Sequence, residues 1–326
     1  MKRLLHTIIA VAFFCVPFLS PAPVRASELY ALGGLMESSD PTAHSYSWQL
    51  EYRQDLLKHL AAGTSYLNEG HIDGHHRDGY TVQFWGRTEL LDYRLTLAAA
   101  VGPYFYLDTK REPTPKGFSN DHGMKAMMSL AAAWHFDNDL IFELRSNWVK
   151  AGSSFDTLSV LGGIGYHFDP NLEPVSVELA RSEELKNEIT FFLGQTIVNS
   201  LNSQHSIAAA VEYRRRLSRH VDWTLEGLYE GDNRLVRRDG LITQIWASQP
   251  LLEGLFSVAG GAGPYFDIGH YHRPADHEVD PVGLLLTITG SYRFTPHWFL
   301  RASWNRLVTS NDRDTDIILG GLGFRF

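Results

Sequence analysis

The chain has 326 residues, 44% of them hydrophobic, with 29 Lys and Arg against 37 Asp and Glu and a formal charge of −8. With Lys2, Arg3 and Arg25 removed along with a leader ending at Ala26, 26 basic side chains remain against 37 acidic ones, or −11, a balance that argues against a nucleic-acid partner. The one cysteine, Cys15, lies in the N-terminal apolar run, so the remainder has no thiol for a disulfide, a metal or a nucleophile.

The chain opens with Met1-Lys2-Arg3, an apolar run from Leu4 to about Leu19, and Pro21-Ala22-Pro23-Val24-Arg25-Ala26. This charged, apolar and small-residue order is that of a secretory signal peptide over 1–26. No later stretch approaches the roughly 20 apolar residues of a spanning helix. A membrane location would therefore require a closed barrel, the other way to pair every backbone group in lipid.

From there the chain alternates with period two. Tyr46, Trp48, Leu50 and Tyr52 share one face and Ser47, Gln49, Glu51 and Arg53 the other, the pattern of a strand with one apolar face. Strands are expected near 29–37, 43–55, 59–69, 79–90, 94–108, 123–136, 139–151 and 155–168. Short joins follow the second, fourth and sixth; longer polar joins, Glu69 to Asp78 and Asp108 to Gly123, follow the third and fifth. Short turns at one end and long loops at the other fit a transmembrane β-barrel, as do aromatics at strand ends such as Tyr104-Phe105-Tyr106, Trp134 and Trp148.

The sequence then repeats itself. Advancing by 161 positions brings Leu32–Phe105 onto Leu193–Phe266 without a gap, with Glu51-Tyr52-Arg53 on Glu212-Tyr213-Arg214 and Gly102-Pro103-Tyr104-Phe105 on Gly263-Pro264-Tyr265-Phe266. At an offset of 158, Leu161–Phe168 falls on Leu319–Phe326. The expected organisation is thus a first eight-strand unit over 27–168, a polar periplasmic linker over 169–187 and a second eight-strand unit over 188–326. Two such units form either one 16-stranded barrel or two tandem eight-stranded barrels. The single barrel is the favoured expectation, because the inward Glu/Arg pairs with few large apolar neighbours point to a water-filled lumen. It requires the strand at 155–168 to pair with the one near 189–199, leaving a fragment Ser27–Phe168 with two open edges.

Three groups of residues could carry function. Glu51 and Arg53, Glu143 and Arg145, and Glu212 and Arg214 are each two apart, so each pair shares a strand face and can form a charge ladder lining the lumen. Histidines and acids cluster at His71, Asp73, His75, His76 and Asp78 and at His270, His272, Asp276, His277 and Asp280. Their spacing matches no compact ligand motif, and they are expected in solvated loops. The chain ends Gly321-Leu322-Gly323-Phe324-Arg325-Phe326. Phe324 and Phe326 resemble the C-terminal signature of bacterial outer-membrane barrels, which implies recognition by barrel-assembly machinery.

The stretches Phe142–Phe168 and Phe299–Phe326 also resemble the last strands of the lipid A deacylase family of eight-stranded outer-membrane barrels. That resemblance implies a Ser nucleophile with a His two residues before it. Ser146 and Ser303 are present, but Leu144 and Arg301 stand at the histidine position, so it implies the architecture without the activity. The expected function is a non-enzymatic pore or structural element of the outer membrane, in contact with its lipid and lipopolysaccharide; the alternatives are a barrel enzyme that modifies lipid or lipopolysaccharide and an accessory barrel for export or anchoring of a surface polymer. No catalytic set, cofactor or metal is expected.

Overall fold

A computed structural model describes residues 27–326 except 40, 41, 115, 151–154, 169–184, 234 and 270–280. The expected signal peptide, most of the linker, and the second histidine cluster (His270, His272, Asp276, His277 and Asp280) lie outside the described residues.

The alternating segments are strands throughout, all antiparallel to their neighbours. The first eight are β1 (Ser27–Ser39), β2 (Thr42–Leu57), β3 (Leu60–Ile72), β4 (His75–Leu90), β5 (Leu95–Arg111), β6 (Phe118–His135), β7 (Leu140–Lys150) and β8 (Thr157–Phe168). The second eight are β9 (Asn187–Val198), β10 (His205–Arg216), β11 (Val221–Asp232), β12 (Arg237–Leu251), β13 (Phe256–Asp267), β14 (Val282–Arg293), β15 (Trp298–Val308) and β16 (Thr315–Arg325). No helix among the described residues is long and apolar enough to cross a membrane.

Each set of eight closes on itself. In the first, β1 lies between β2 and β8, with pairs running from Ser27↔Phe168 to Ser38↔Thr157. In the second, β9 lies between β10 and β16, from Glu188↔Arg325 to Val198↔Thr315. The first ring is closed edge to edge, although its strands are not spaced evenly about one axis. The favoured 16-stranded barrel is therefore corrected to its alternative, two eight-stranded barrels. Both edges of each unit find partners within that unit, so no edge remains for β8 to pair with β9.

The closing seams explain the glycines of the repeated ending. A Cβ at Gly163 would sit 2.1 Å from the Ala31 carbonyl oxygen, and one at its counterpart Gly321 2.7 Å from that of Phe191. Only glycine lets the last strand approach the first so closely.

The two faces of each strand have opposite chemistry. In the first ring the outer face carries exposed Leu50, Val101, Leu130, Leu144 and Ile164 around its middle. Aromatics stand at its rims, with Tyr93, Trp134 and Phe142 at the end holding the chain termini of the ring and Tyr46 and Trp148 at the other, whereas Tyr104 and Tyr106, expected among them, point inward and are buried. The second ring repeats this with Leu193, Val211, Ile245 and Ile318 in the middle, and Tyr292, Trp298 and Phe326 against Tyr229 and Phe266 at the rims. A soluble sheet would hide such a band, whereas a barrel in lipid displays it between aromatic girdles.

The loop expectation needs a second correction. Glu69 to Asp78 is almost wholly strand, with only Asp73 and Gly74 between β3 and β4. The reason is a bulge: Glu69 and Gly70 together oppose Arg77, between the pairs Asn68↔Asp78 and His71↔His76. Gly70 takes φ +69, and a Cβ there would lie 2.3 Å from the Tyr46 carbonyl oxygen. The second ring has the same device, with Glu230 and Gly231 (φ +76) facing Arg238. Bulges of this kind aim a side chain that a regular ladder would place differently.

Candidate functional site

The six ladder residues all point into ring interiors and are buried. In the first ring Glu51 and Arg53 stand on β2 and Glu143 and Arg145 on β7, two strands that are not neighbours, so the bridges between them cross the lumen. Arg145 Nη1 donates to Glu51 Oε2 at 2.5 Å, and Arg53 Nη1 to Glu143 Oε2 at 3.3 Å. Along each strand Arg53 Nε reaches Glu51 at 2.8 Å and Arg145 Nε reaches Glu143 at 2.7 Å. Trp85 floors the set, its ring 4.0 Å from the Arg53 guanidinium and 4.8 Å from that of Arg145, which adds cation–π attraction in a desolvated site. Two carboxylates and two guanidiniums thus make a closed square.

The second ring assembles a different set from the same start. Glu212 and Arg214 lie on β10, with Arg214 Nε 3.2 Å from Glu212 and Trp246 again beneath the guanidinium at 4.0 Å. Here the cross-lumen partner is Arg301 on β15, which donates to Glu212 at 2.7 Å and to Glu188 at 2.7 Å. Arg325 reaches Glu188 at 3.0 Å. The sequence reading missed Arg301 as a ladder member, although the offset of 158 sets it against Glu143.

A second ionic group, also missed, lies towards the opposite rim. Arg77 grips Glu69 with two bonds, Nε to Oε2 at 2.5 Å and Nη2 to Oε1 at 3.0 Å. The Tyr104 hydroxyl donates to Glu69 at 2.9 Å, and Arg77 donates to Thr157 Oγ1 at 3.1 Å and to the Phe155 carbonyl at 3.0 Å. In the second ring Arg238 grips Glu230 at 3.0 and 2.9 Å, with Thr315 3.1 Å from Arg238 and 2.9 Å from Glu230. Bidentate guanidinium–carboxylate pairs of this sort are the strong kind. Glu69-Gly70 and Arg77 were visible as repeated residues, but their assignment to a loop hid their inward aim.

Between the ionic groups runs a chain of amides and hydroxyls. Gln83 donates to Ser129 at 3.0 Å, Ser129 to Asn147 at 2.8 Å, Asn147 to Gln49 at 2.9 Å and Gln49 to Ser65 at 2.7 Å. The second ring keeps part of it: Gln244 to Thr287 at 3.0 Å and Thr287 to Asn305 at 2.8 Å.

Apolar layers complete the filling. Leu32, Leu67, Tyr104, Met127 and Leu161 pack together in the first ring, and Phe192, Leu228, Ile242, Leu285 and Leu319 in the second. The expectation of a water-filled lumen is thereby corrected. Eight strands enclose a bore that side chains can span, and here they do.

The remaining candidates lie elsewhere. His71 and His76 lie with ring centroids 3.9 Å apart and planes tilted by 31°, and His75 Nδ1 lies 3.1 Å from Asp108. No group of three or more potential metal ligands occurs among the described residues. Ser146 faces outward from β7 and is half-exposed, whereas Ser303 faces inward and donates to Thr289 at 3.1 Å. The two serines of the deacylase-like stretches thus lie on opposite faces of their strands. Phe324 is an outer-rim aromatic, edge-on to Trp298 at 5.0 Å and stacked with Phe326 at 6.4 Å. The Phe326 backbone bonds in both directions to Asn187, completing the β16–β9 seam.

Closed antiparallel rings, an apolar outer belt with aromatic rims, and a polar, ion-paired interior define a β-barrel of the outer-membrane fold, here in two eight-stranded copies. No protein-family model matches the chain, and no curated protein does. Among solved structures, the N-terminal β-barrel domain of Pseudomonas aeruginosa OprF is 11% identical with a TM-score of 0.35, covering 44% of this chain and 97% of its own. Neisserial surface protein A is 9% identical with a TM-score of 0.36, covering 44% and 96%. The NanC porin is 11% identical with a TM-score of 0.22, covering 91% and 98%.

Proposed function

We propose that this chain is a structural protein of the outer membrane, whose two barrels are filled envelope elements and not open pores. The observation that carries this reading is the cross-lumen square of Glu51, Arg53, Glu143 and Arg145, which together with the apolar layer over it occupies the bore of the first ring. An ion would have to open four buried charge contacts to pass, and breaking one buried pair costs about 3–5 kcal/mol. The second barrel is stopped by Glu230–Arg238 and its own apolar layer.

Lipid and lipopolysaccharide are the partners of the outer belt on this reading. The apolar middle supports the acyl contact and the aromatic rims the headgroup contact. Phe324 and Phe326 are the residues offered to the assembly machinery, supported by their place on an outward rim at the final seam. The test is conductance in a planar bilayer. The purified full chain is expected to insert and give no stable single-channel steps. Reproducible steps of constant amplitude would refute the filled-barrel reading.

A further inference from the structure

The mouth of the second barrel at its β9 start and β16 end is a cavity of about 360 Å³. Seven of its lining residues are Lys or Arg, and only Glu188 and Asp222 are acidic. Both acids are already engaged, Glu188 by Arg301 and Arg325 and Asp222 by the Ser248 hydroxyl at 2.5 Å. Arg325 is 1% exposed, and its Nη1 has no hydrogen-bond partner. Arg216, on the rim, has no ion-pair partner among the described residues. The excess of positive charge therefore lines a mouth whose own two carboxylates are engaged, with Arg214, Arg301 and Arg325 buried at its inner end.

Internal comparison shows that this is particular to the second copy. The offsets of 161 and 158 set Arg216, Arg293, Arg301 and Arg325 against Asp55, His135, Glu143 and His167. One exchange runs the other way, Arg87 against Ser248. Removing two acids and adding four guanidiniums converts a charge-balanced mouth into a cationic one on the same strand framework. Filling a bore does not require this, since the first ring fills it with balanced charge.

We infer that this mouth binds a phosphate-bearing anion. Guanidinium forks match phosphate oxygens two at a time, and the cavity is at the small end of ligand sites, with room for a diphosphate-sized group. The binding chemistry is the same whether the phosphate belongs to a soluble anion or to a lipid headgroup entering from the rim. The inference does not rest on the absence of conductance, so a conducting barrel would leave it intact.

The experiment is isothermal titration calorimetry on the full chain in zwitterionic detergent, with inorganic pyrophosphate in one arm and short-chain phosphatidic acid in the other. Saturable binding of pyrophosphate identifies a soluble anion, and binding of the lipid alone identifies a headgroup; either supports the site. Arg293→His with Arg325→His, which restores the first-ring residues, should weaken binding at least about tenfold. The half-exposed Arg216→Gln, which leaves the interior untouched, should weaken it several-fold if the double variant fails to fold. Affinity should also fall as salt rises. No saturable binding in either arm, or affinity unchanged in folded variants, would overturn the proposal.

Discussion

Cutting the chain after Phe168 is the sharpest perturbation of the fold. All twelve residues of β8 pair with β1, and an antiparallel ladder makes about one hydrogen bond per paired position, so about twelve bonds close the first ring. In hydrocarbon each polar group left unpaired costs several kcal/mol, so an unclosed seam would cost on the order of 50 kcal/mol or more. Folding free energies are only about 5–15 kcal/mol. A unit whose edges needed the second half would therefore have no stable form alone, while a self-closed unit loses no strand pairing. The fragment Ser27–Phe168, refolded into zwitterionic detergent, is expected to run as a monomer by size exclusion, to resist trypsin, and to shift in electrophoretic mobility on boiling. Failure to give that species under conditions where the full chain folds would refute the β1–β8 closure.

Three further outcomes follow from the interior and the seams. Glu51→Ala leaves the buried Arg53 and Arg145 short of an acceptor and should lower stability by about 3–5 kcal/mol in denaturant titration monitored by tryptophan fluorescence; a loss under about 1 kcal/mol would mean that the square is not desolvated. Gly70→Ala and Gly231→Ala place a Cβ against a carbonyl at positive φ and should each cost about 1–3 kcal/mol, whereas Gly227→Ala, which meets nothing within 4 Å, should be near neutral. Phe326→Asp should reduce heat-modifiable barrel in the outer-membrane fraction, and normal levels there would count against the proposed assembly role.

How much of this was legible in the sequence depended on whether a signal was local. Alternation placed the strands, since a period-two pattern such as Tyr46–Arg53 has one structural meaning, and the boundaries missed by one to five residues where polar strand ends rise past the lipid. The 161-residue offset exposed both units, and Glu/Arg spacing turned all six ladder residues inward. What failed was non-local. Closure depends on which edge meets which, and the close approach at Gly163 that seals the first ring involves β1, far away in the sequence. The ladder charges were read as wetting the lumen because pairing across it, from β2 to β7, cannot be seen along one strand. Glu69 and Arg77 were lost for a related reason: a bulge at Gly70 makes a strand look like a loop.

The two copies together separate what an eight-stranded ring needs from what it can vary. Glu69, Arg77, Tyr104 and Thr157 recur as Glu230, Arg238, Tyr265 and Thr315, and Gln83, Ser129 and Asn147 as Gln244, Thr287 and Asn305. Each of these sets satisfies most of its own donors and acceptors inside a buried bore, so exchange of one member strands another. The third set does not recur. Glu143 and Arg145 give way to Arg301 and Ser303, the closed square disappears, and Glu188 enters to hold two arginines. That set lines a mouth cavity, where a charge left over can be met by water or by a ligand. The interior is thus fixed where it is sealed and free to diverge where it meets solvent, which is why the mouth of the second barrel is where the two copies should differ in what they bind.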